Sequence, residues 1–165
     1  MSLPLGAHIL GIDPGATGGL AELDDTGRVV QVLPMPMLGK EPDVDALVGI
    51  VHGLPDGSRV IIEGVHAFPG QGVSSMFRFG FGTGMIHGIV RGARVPLEAV
   101  SPQAWMKVGP GATGGDKAIT ALWAGRTFPG TQIVPPRCRK AHEGICDALG
   151  IAWWGHLKYG REVRT

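Results

Sequence analysis

Residues 9–19 read Ile9-Leu10-Gly11-Ile12-Asp13-Pro14-Gly15-Ala16-Thr17-Gly18-Gly19. A short apolar run ends in a carboxylate and opens into a glycine-rich turn. That is the pattern of a strand, a turn and a second strand, here running on to Leu23. Burying a carboxylate at the end of a core strand costs several kcal/mol unless its charge is paired or bound to a metal. The stretch therefore points to a cation, or a substrate's metal-bound phosphate, beside Asp13. The plainer alternative is an Asp that only caps the turn after it. Two further acidic segments weigh for the cation.

Outward from this stretch, residues 8–13, 19–23 and 28–33 read as three short strands, with turns at 15–19 and at Asp24-Asp25-Thr26-Gly27. Turns this short predict an antiparallel meander, ended by Pro34-Met35-Pro36. Residues 43–53 have helical spacing, with Val44, Leu47, Val48 and Val51 on one side and Asp43 or Asp45 at the start, where the helix dipole favours anions. After the turn Pro55-Asp56-Gly57-Ser58 comes a buried strand, Val60-Ile61-Ile62-Glu63, again ending in an acid. Residues 71–92 predict a long helix in which Gly80, Gly84, Gly88 and Gly92 form one bare stripe. Each glycine there costs near 1 kcal/mol relative to alanine, so close backbone approach is implied, either to the chain's own sheet or to a second copy. A strand over 95–100, a short helix from Ser101-Pro102 to Lys107, a flexible loop over 109–115, and helices over 116–127 and 142–157 complete the chain. Strands first, then strands alternating with helices, describe a mixed sheet flanked by helices.

Glu63 repeats the situation of Asp13: an apolar strand, an acid, then Gly64. If the two strands are neighbours, both carboxylates emerge at one sheet edge. A third source is His142-Glu143-Gly144-Ile145-Cys146-Asp147, where Glu143 and Asp147 share a helix face with Cβ atoms about 6 Å apart. Like charges so spaced repel, and a divalent metal would turn that penalty into a site. Carboxylates converging from two strands and a helix suit Mg²⁺ or Mn²⁺, which take hard oxygen ligands. Two such ions roughly 4 Å apart can activate a water and stabilise the departing oxygen in phosphodiester cleavage. His142 is a further candidate, for metal or proton, against a solvent-facing first-turn histidine.

The 165 residues suit one domain of ordinary size with one core. Cys138 and Cys146, with no CxxC, suggest neither a disulfide framework nor a zinc knuckle, which fits a reducing cytoplasm. No apolar stretch reaches about 18 residues and no basic segment precedes an apolar one at the start, so neither secretion nor membrane spanning is expected. The net charge of +1 hides an asymmetry: residues 1–66 hold three basic against nine acidic side chains, and residues 67–165 hold twelve against five. A polyanion would prefer the second part. Arg78 early on the glycine-striped helix, and Lys107 and Lys117 flanking the 109–115 loop, are the expected DNA contacts. That loop lacks the GK[ST] ending of a P-loop, so no nucleotide cofactor is expected there.

In this order and spacing the segments resemble the RuvC-like Holliday junction resolvases, particularly the short phage-type members. Ile9-Leu10-Gly11-Ile12-Asp13-Pro14-Gly15 looks like their first strand and turn, and Val60-Ile61-Ile62-Glu63 their acidic strand. Ser101-Pro102-Gln103-Ala104-Trp105-Met106-Lys107 is similar to the segment after their fifth strand, and Asp147-Ala148-Leu149-Gly150-Ile151-Ala152 to their C-terminal catalytic helix. The likeness runs from about residue 8 to residue 156. It implies an α/β, RNase H-like fold over residues 1–165, a five-stranded mixed sheet whose first three strands are antiparallel. It also implies a homodimer that nicks paired strands of branched DNA with Mg²⁺ or Mn²⁺, two ions per active site. Asp13, Glu63 and Asp147 fall on catalytic, metal-binding positions. Cellular members place an Asp or His three residues before the last acid, where this chain has Gly144; the phage-type pattern has an acid four before, which Glu143 satisfies, with His142 the lesser candidate.

Three other readings stand beside this one. A general branched or flap DNA nuclease of the same fold is the nearest. A non-catalytic DNA-binding module has no need of all the acids. An actin-like ATPase or sugar-kinase fragment would need a second domain and a second Asp-Gly phosphate loop, for which 165 residues leave no room.

Overall fold

The computed structural model describes residues 2–64, 72–111, 113–114 and 116–160. Gln71, the expected first residue of the long helix, and two positions of the 109–115 loop lie outside the described residues. Strands β1 (Ile9–Asp13), β2 (Gly19–Leu23) and β3 (Val29–Pro34) form the expected meander. A small hairpin of β4 (Met37–Leu38) and β5 (Glu41–Pro42) follows, then α1 (Val44–His52), β6 (Arg59–Glu63), α2 (Val73–Gly92) and β7 (Leu97–Val100). Helices α3 (Pro102–Val108), α4 (Lys117–Thr127) and α5 (Glu143–Tyr159) end the described chain. The main sheet is five-stranded and mixed, in the order β3-β2-β1-β6-β7, antiparallel through the meander and parallel across β1, β6 and β7.

Side chains alternate across this sheet because successive residues of a strand point to opposite faces. Leu10, Ile12, Leu20, Val60 and Ile62 pack with Leu47 and Val51 of α1 and Ile86 and Val90 of α2. Ile9, Ala21, Leu23 and Ile61 pack on the other face against α5, joined by Trp105 of α3 and Ala124 of α4. The sheet is thus covered by helices on both sides, which explains why β1 and β6 are apolar almost throughout.

Helix α5 is buried along most of its length, from Gly144 to Ala152. It lies so close to the sheet that a Cβ on Gly11 would come 2.4 Å from the Ala148 carbonyl oxygen. At its first turn the approach is backbone to backbone: Gly144 forms a β-bridge with Gly18 of the turn after β1. Helix starts are fixed by side chains that accept the orphan N–H groups. Asp43 takes that of Ala46, Ser101 that of Ala104, and Asp116 that of Ala118.

The glycine stripe of α2 does not meet the sheet. Gly80, Gly84, Gly88 and Gly92 are exposed, and a Cβ on any of them would meet nothing within 4 Å. The buried side of α2 is instead Gly82, Thr83, Ile86 and Val90. Of the two readings of the stripe, packing on the chain's own sheet is therefore not what these residues do. Among the described residues, no helix is long and apolar enough to cross a membrane.

Candidate active site

The register of the two central strands brings the first two acids together. Ile12 pairs with Ile62 in the parallel β1–β6 ladder, so Asp13 and Glu63 are the next residues of adjacent strands. Both follow the alternation that sends Ile9, Gly11 and Ile61 toward α5. Asp147, one turn into α5, is buried on that side. Distant stretches of chain thus deliver three carboxylates to one sheet edge.

Their electrostatics report the crowding. Burial, then the neighbouring charges of Glu63 and Asp147, push Asp13 up to about 7, against a long contact (3.5 Å) from the Gly15 N–H and the charge of Lys117. Glu63 is also raised, chiefly by burial and by Asp147, although the Trp105 indole N–H donates to its Oε1 at 2.9 Å and works the other way. Lys117 sits among the acids, its Nζ donating to Asp147 Oδ2 at 2.8 Å. Burial would lower the Lys117 pKa, but the Asp147 bond and the charges of Asp147, Glu143 and Asp13 outweigh it and raise the group. Cys146, beside Asp147, is pushed up to about 11 by burial and by the acids, which leaves its thiol inert.

The remaining candidates stand at the margin. Glu143 is exposed, and its charge is felt at Lys117 and Cys146. His142 caps α5, its Nδ1 accepting the Ile145 N–H at 3.3 Å. That bond puts the ring proton on Nε2, so capping and metal ligation compete for this side chain. Gly144, where cellular resolvases carry Asp or His, has a physical reason to be glycine here: a Cβ would lie 2.2 Å from the Gly18 carbonyl carbon. Arg78 and Lys107 are exposed on α2 and α3, outside the acid cluster.

Two pairings were missed at the level of sequence. Lys117, expected as a DNA contact flanking the 109–115 loop, donates to an acid thirty residues away. Trp105 holds Glu63 across forty-two residues. No local spacing carries either pairing; only the resemblance around Trp105 and Lys107 touched the first turn of that region.

Three crowded carboxylates, one pushed up to about 7, are a set that a cation relieves. Among the described residues no three His, Cys, Asp or Glu side chains close on a common point at ligating distance. The Lys117 ammonium lies where the acids need positive charge. The donors are nonetheless carboxylate oxygens, the set that suits Mg²⁺ or Mn²⁺ and not a soft metal.

The comparisons with known proteins agree with this architecture. Thermus thermophilus RuvC in complex with a Holliday junction substrate superposes with a TM-score of 0.63 at 18% identity, over 90% of this chain and 92% of that one. The chain has a RuvC-like fold. A second Thermus thermophilus RuvC structure matches with a TM-score of 0.55 at 23% identity, over 89% of this chain and 92% of the other. No protein-family model matches the sequence, and no curated protein matches it. The RuvC-like, RNase H-like fold expected from the sequence segments is thus present, with its mixed five-stranded sheet and flanking helices.

Proposed function

We propose that this protein is a metal-dependent, structure-selective endonuclease that cleaves phosphodiester bonds in branched DNA, resolving four-way junctions by paired nicks. The observation that carries the proposal is the meeting of Asp13, Glu63 and Asp147 at one sheet edge, with Asp13 raised to about 7 by burial and by the other two acids. The RuvC-like fold supports it, since one solved relative of that fold holds a Holliday junction substrate.

Asp13, Glu63 and Asp147 would hold the divalent ions, Mg²⁺ or Mn²⁺, with Glu143 at the rim as a fourth carboxylate and His142 a lesser donor. Bound there, the metal supplies an activated water and neutralises charge on the departing oxygen. The protein's own groups prepare the site. The Trp105 indole orients the Glu63 carboxylate by its hydrogen bond. Lys117, released from Asp147, can meet a phosphate oxygen as charge develops on it, a preorganised electrostatic role. Arg78 and Lys107 contribute charge along the DNA backbone, positioning the duplex without reading sequence. A two-fold homodimer would match the near two-fold symmetry of a four-way junction and place two acid clusters for two nicks.

The test is cleavage of four-way, three-way, flap and linear DNA with Mg²⁺, Mn²⁺ or chelator. The proposal expects metal-dependent paired nicks in the four-way junction, absent in chelator and absent with Asp13→Asn. Equal cutting of every branched substrate would favour the general branch nuclease. No cutting of any would overturn the enzyme reading.

A further inference from the structure

The connection between α4 and α5 carries a charged loop. The His142 N–H donates to the Ile133 carbonyl at 2.8 Å and closes the loop at its base, where Ile133 and Ala141 pack against the core. Inside it the Cys138 N–H donates to the Pro135 carbonyl at 3.0 Å, a tight turn with Pro136 and Arg137 at its centre. Arg137 has φ 66°, in a place that glycine or asparagine usually takes. The loop is thus held in one shape, and it displays Arg137, Arg139 and Lys140. All three are exposed, and among the described residues none pairs with an acid.

Such a run is commonly a solvated face, but its place argues for a ligand. Lys140 stands just before His142, the cap of α5, and Asp147 lies one turn into that helix. Between the loop and Thr17, in the turn that follows Asp13, opens a cleft of about 610 Å³. Arg139, Lys140, His142 and Glu143 are among its walls. The cleft thus joins unpaired cations to the rim of the acid cluster. Lys117, the cation inside that cluster, is already taken by Asp147. A small anion in the cleft would sit against Glu143. A chain of phosphates can spread its charge along the cations while one phosphate reaches the acids. The loop packs on the α5 face of the sheet, opposite the face covered by α2, which bears Arg78.

We infer that the loop over residues 137–140 is a phosphate clamp for the DNA strand whose scissile phosphate lies at the acid cluster, with Arg139 and Lys140 on neighbouring phosphates in the cleft. The inference rests on the nuclease reading and adds a contact on the sheet face opposite Arg78. Backbone contacts position a strand and carry no sequence information of their own. The clamp therefore fixes which phosphate reaches the acids, whatever the bases beside it.

Methylphosphonate scanning tests it, since each substitution removes the charge of one phosphate. Asp13→Asn protein is bound to four-way junctions substituted at one position at a time around the branch. The clamp predicts one or two adjacent positions at which this protein loses roughly tenfold in affinity, as for a lost charge-assisted contact. A protein that also carries Arg139→Ala and Lys140→Ala should lose nothing further at those positions. Its salt dependence of binding should flatten by about two units of slope. Both changes are at exposed positions, and a melting temperature equal to that of the parent shows that the variant is folded. Phosphates equally sensitive in the variant, or an unchanged slope, overturn the clamp. So does polyglutamate binding that the variant loses while its junction binding is unaltered, which would give the loop to an acidic protein. Should the protein bind no junction, the nuclease reading is what has failed. The same scan in single-stranded DNA then decides: a sensitive phosphate that the variant abolishes supports the clamp, and its absence overturns it.

Discussion

At the scale of single residues, the acid cluster makes a prediction about stability before any about activity. Asp13 has an ordinary value of 3.8 and is raised to about 7 in the folded chain, so folding favours its neutral form. Its contribution is fully present below about pH 4, and is lost as pH rises through about 7. In chelator, Asp13→Asn should raise the melting temperature at pH 8, by a free energy on the order of 2–4 kcal/mol, and change it little near pH 4. Thermal melts at the two pH values check this; an equal effect at both would remove Asp13 from the crowded group. Lys117 calls for a different readout. Because its ammonium lies on Asp147 and not on an outer loop, Lys117→Met should lower single-turnover cleavage by roughly 10²-fold, in the range seen when one preorganised donor is lost. Junction affinity should fall far less, and the salt dependence of binding should lose no more than about one unit of slope. Binding and cleavage falling together would return Lys117 to a simple phosphate contact. This residue also marks where reading the sequence stopped. The acids were legible from local patterns: Asp13 and Glu63 each end an apolar strand, and Asp147 lies four residues after Glu143 on one helix face. The Lys117–Asp147 and Trp105–Glu63 pairs exist only once the strands and helices are packed.

At the scale of elements, the meander, α1, β6 and the caps at Asp43, Ser101 and Asp116 follow from alternation, short turns and acceptors at helix starts. The β4–β5 hairpin does not, since its strands have two residues each and lie beside Pro36, a pattern indistinguishable from a loop. Strand β7 starts later than its apolar run because Arg94 adopts a left-handed conformation (φ 58°) and Pro96 follows. Helix α5 runs on to Tyr159, beyond its expected end, because Glu98 of β7 accepts hydrogen bonds from Lys158 and Tyr159. Burial would raise Glu98, but those two bonds outweigh it and hold the carboxyl below its usual range. The packing of α5 on the Gly18 turn gives the clearest prediction at this scale. Gly144→Ala puts a methyl 2.2 Å from a backbone carbon that cannot move without moving the turn that carries Asp13. It should cost about 1–3 kcal/mol of stability as overpacking, with a larger relative loss of cleavage. Urea unfolding with an unchanged midpoint would show that the helix start has slack.

At the scale of the whole molecule, the charge asymmetry and the exposed face of α2 bear on assembly. Phe77 and Phe81 stack on each other with centroids 6.1 Å apart, and both are well exposed, beside the bare stripe of Gly80, Gly84 and Gly88. The proposed homodimer would use this face. Gly84→Trp should convert the proposed dimer to monomer in sedimentation without lowering the melting temperature of the subunit, because the position is exposed and a Cβ there meets nothing within 4 Å. A lowered melting temperature with the dimer intact would place the stripe inside the fold after all. The account as a whole depends on the acids acting as one cation site, and direct titration of Mn²⁺ into the protein, followed by calorimetry, tests that most directly. Wild-type protein should bind the ion with an affinity that Asp13→Asn, Glu63→Gln and Asp147→Asn each weaken by roughly tenfold or more. Binding that is absent in wild type, or equal in all three variants, would contradict it.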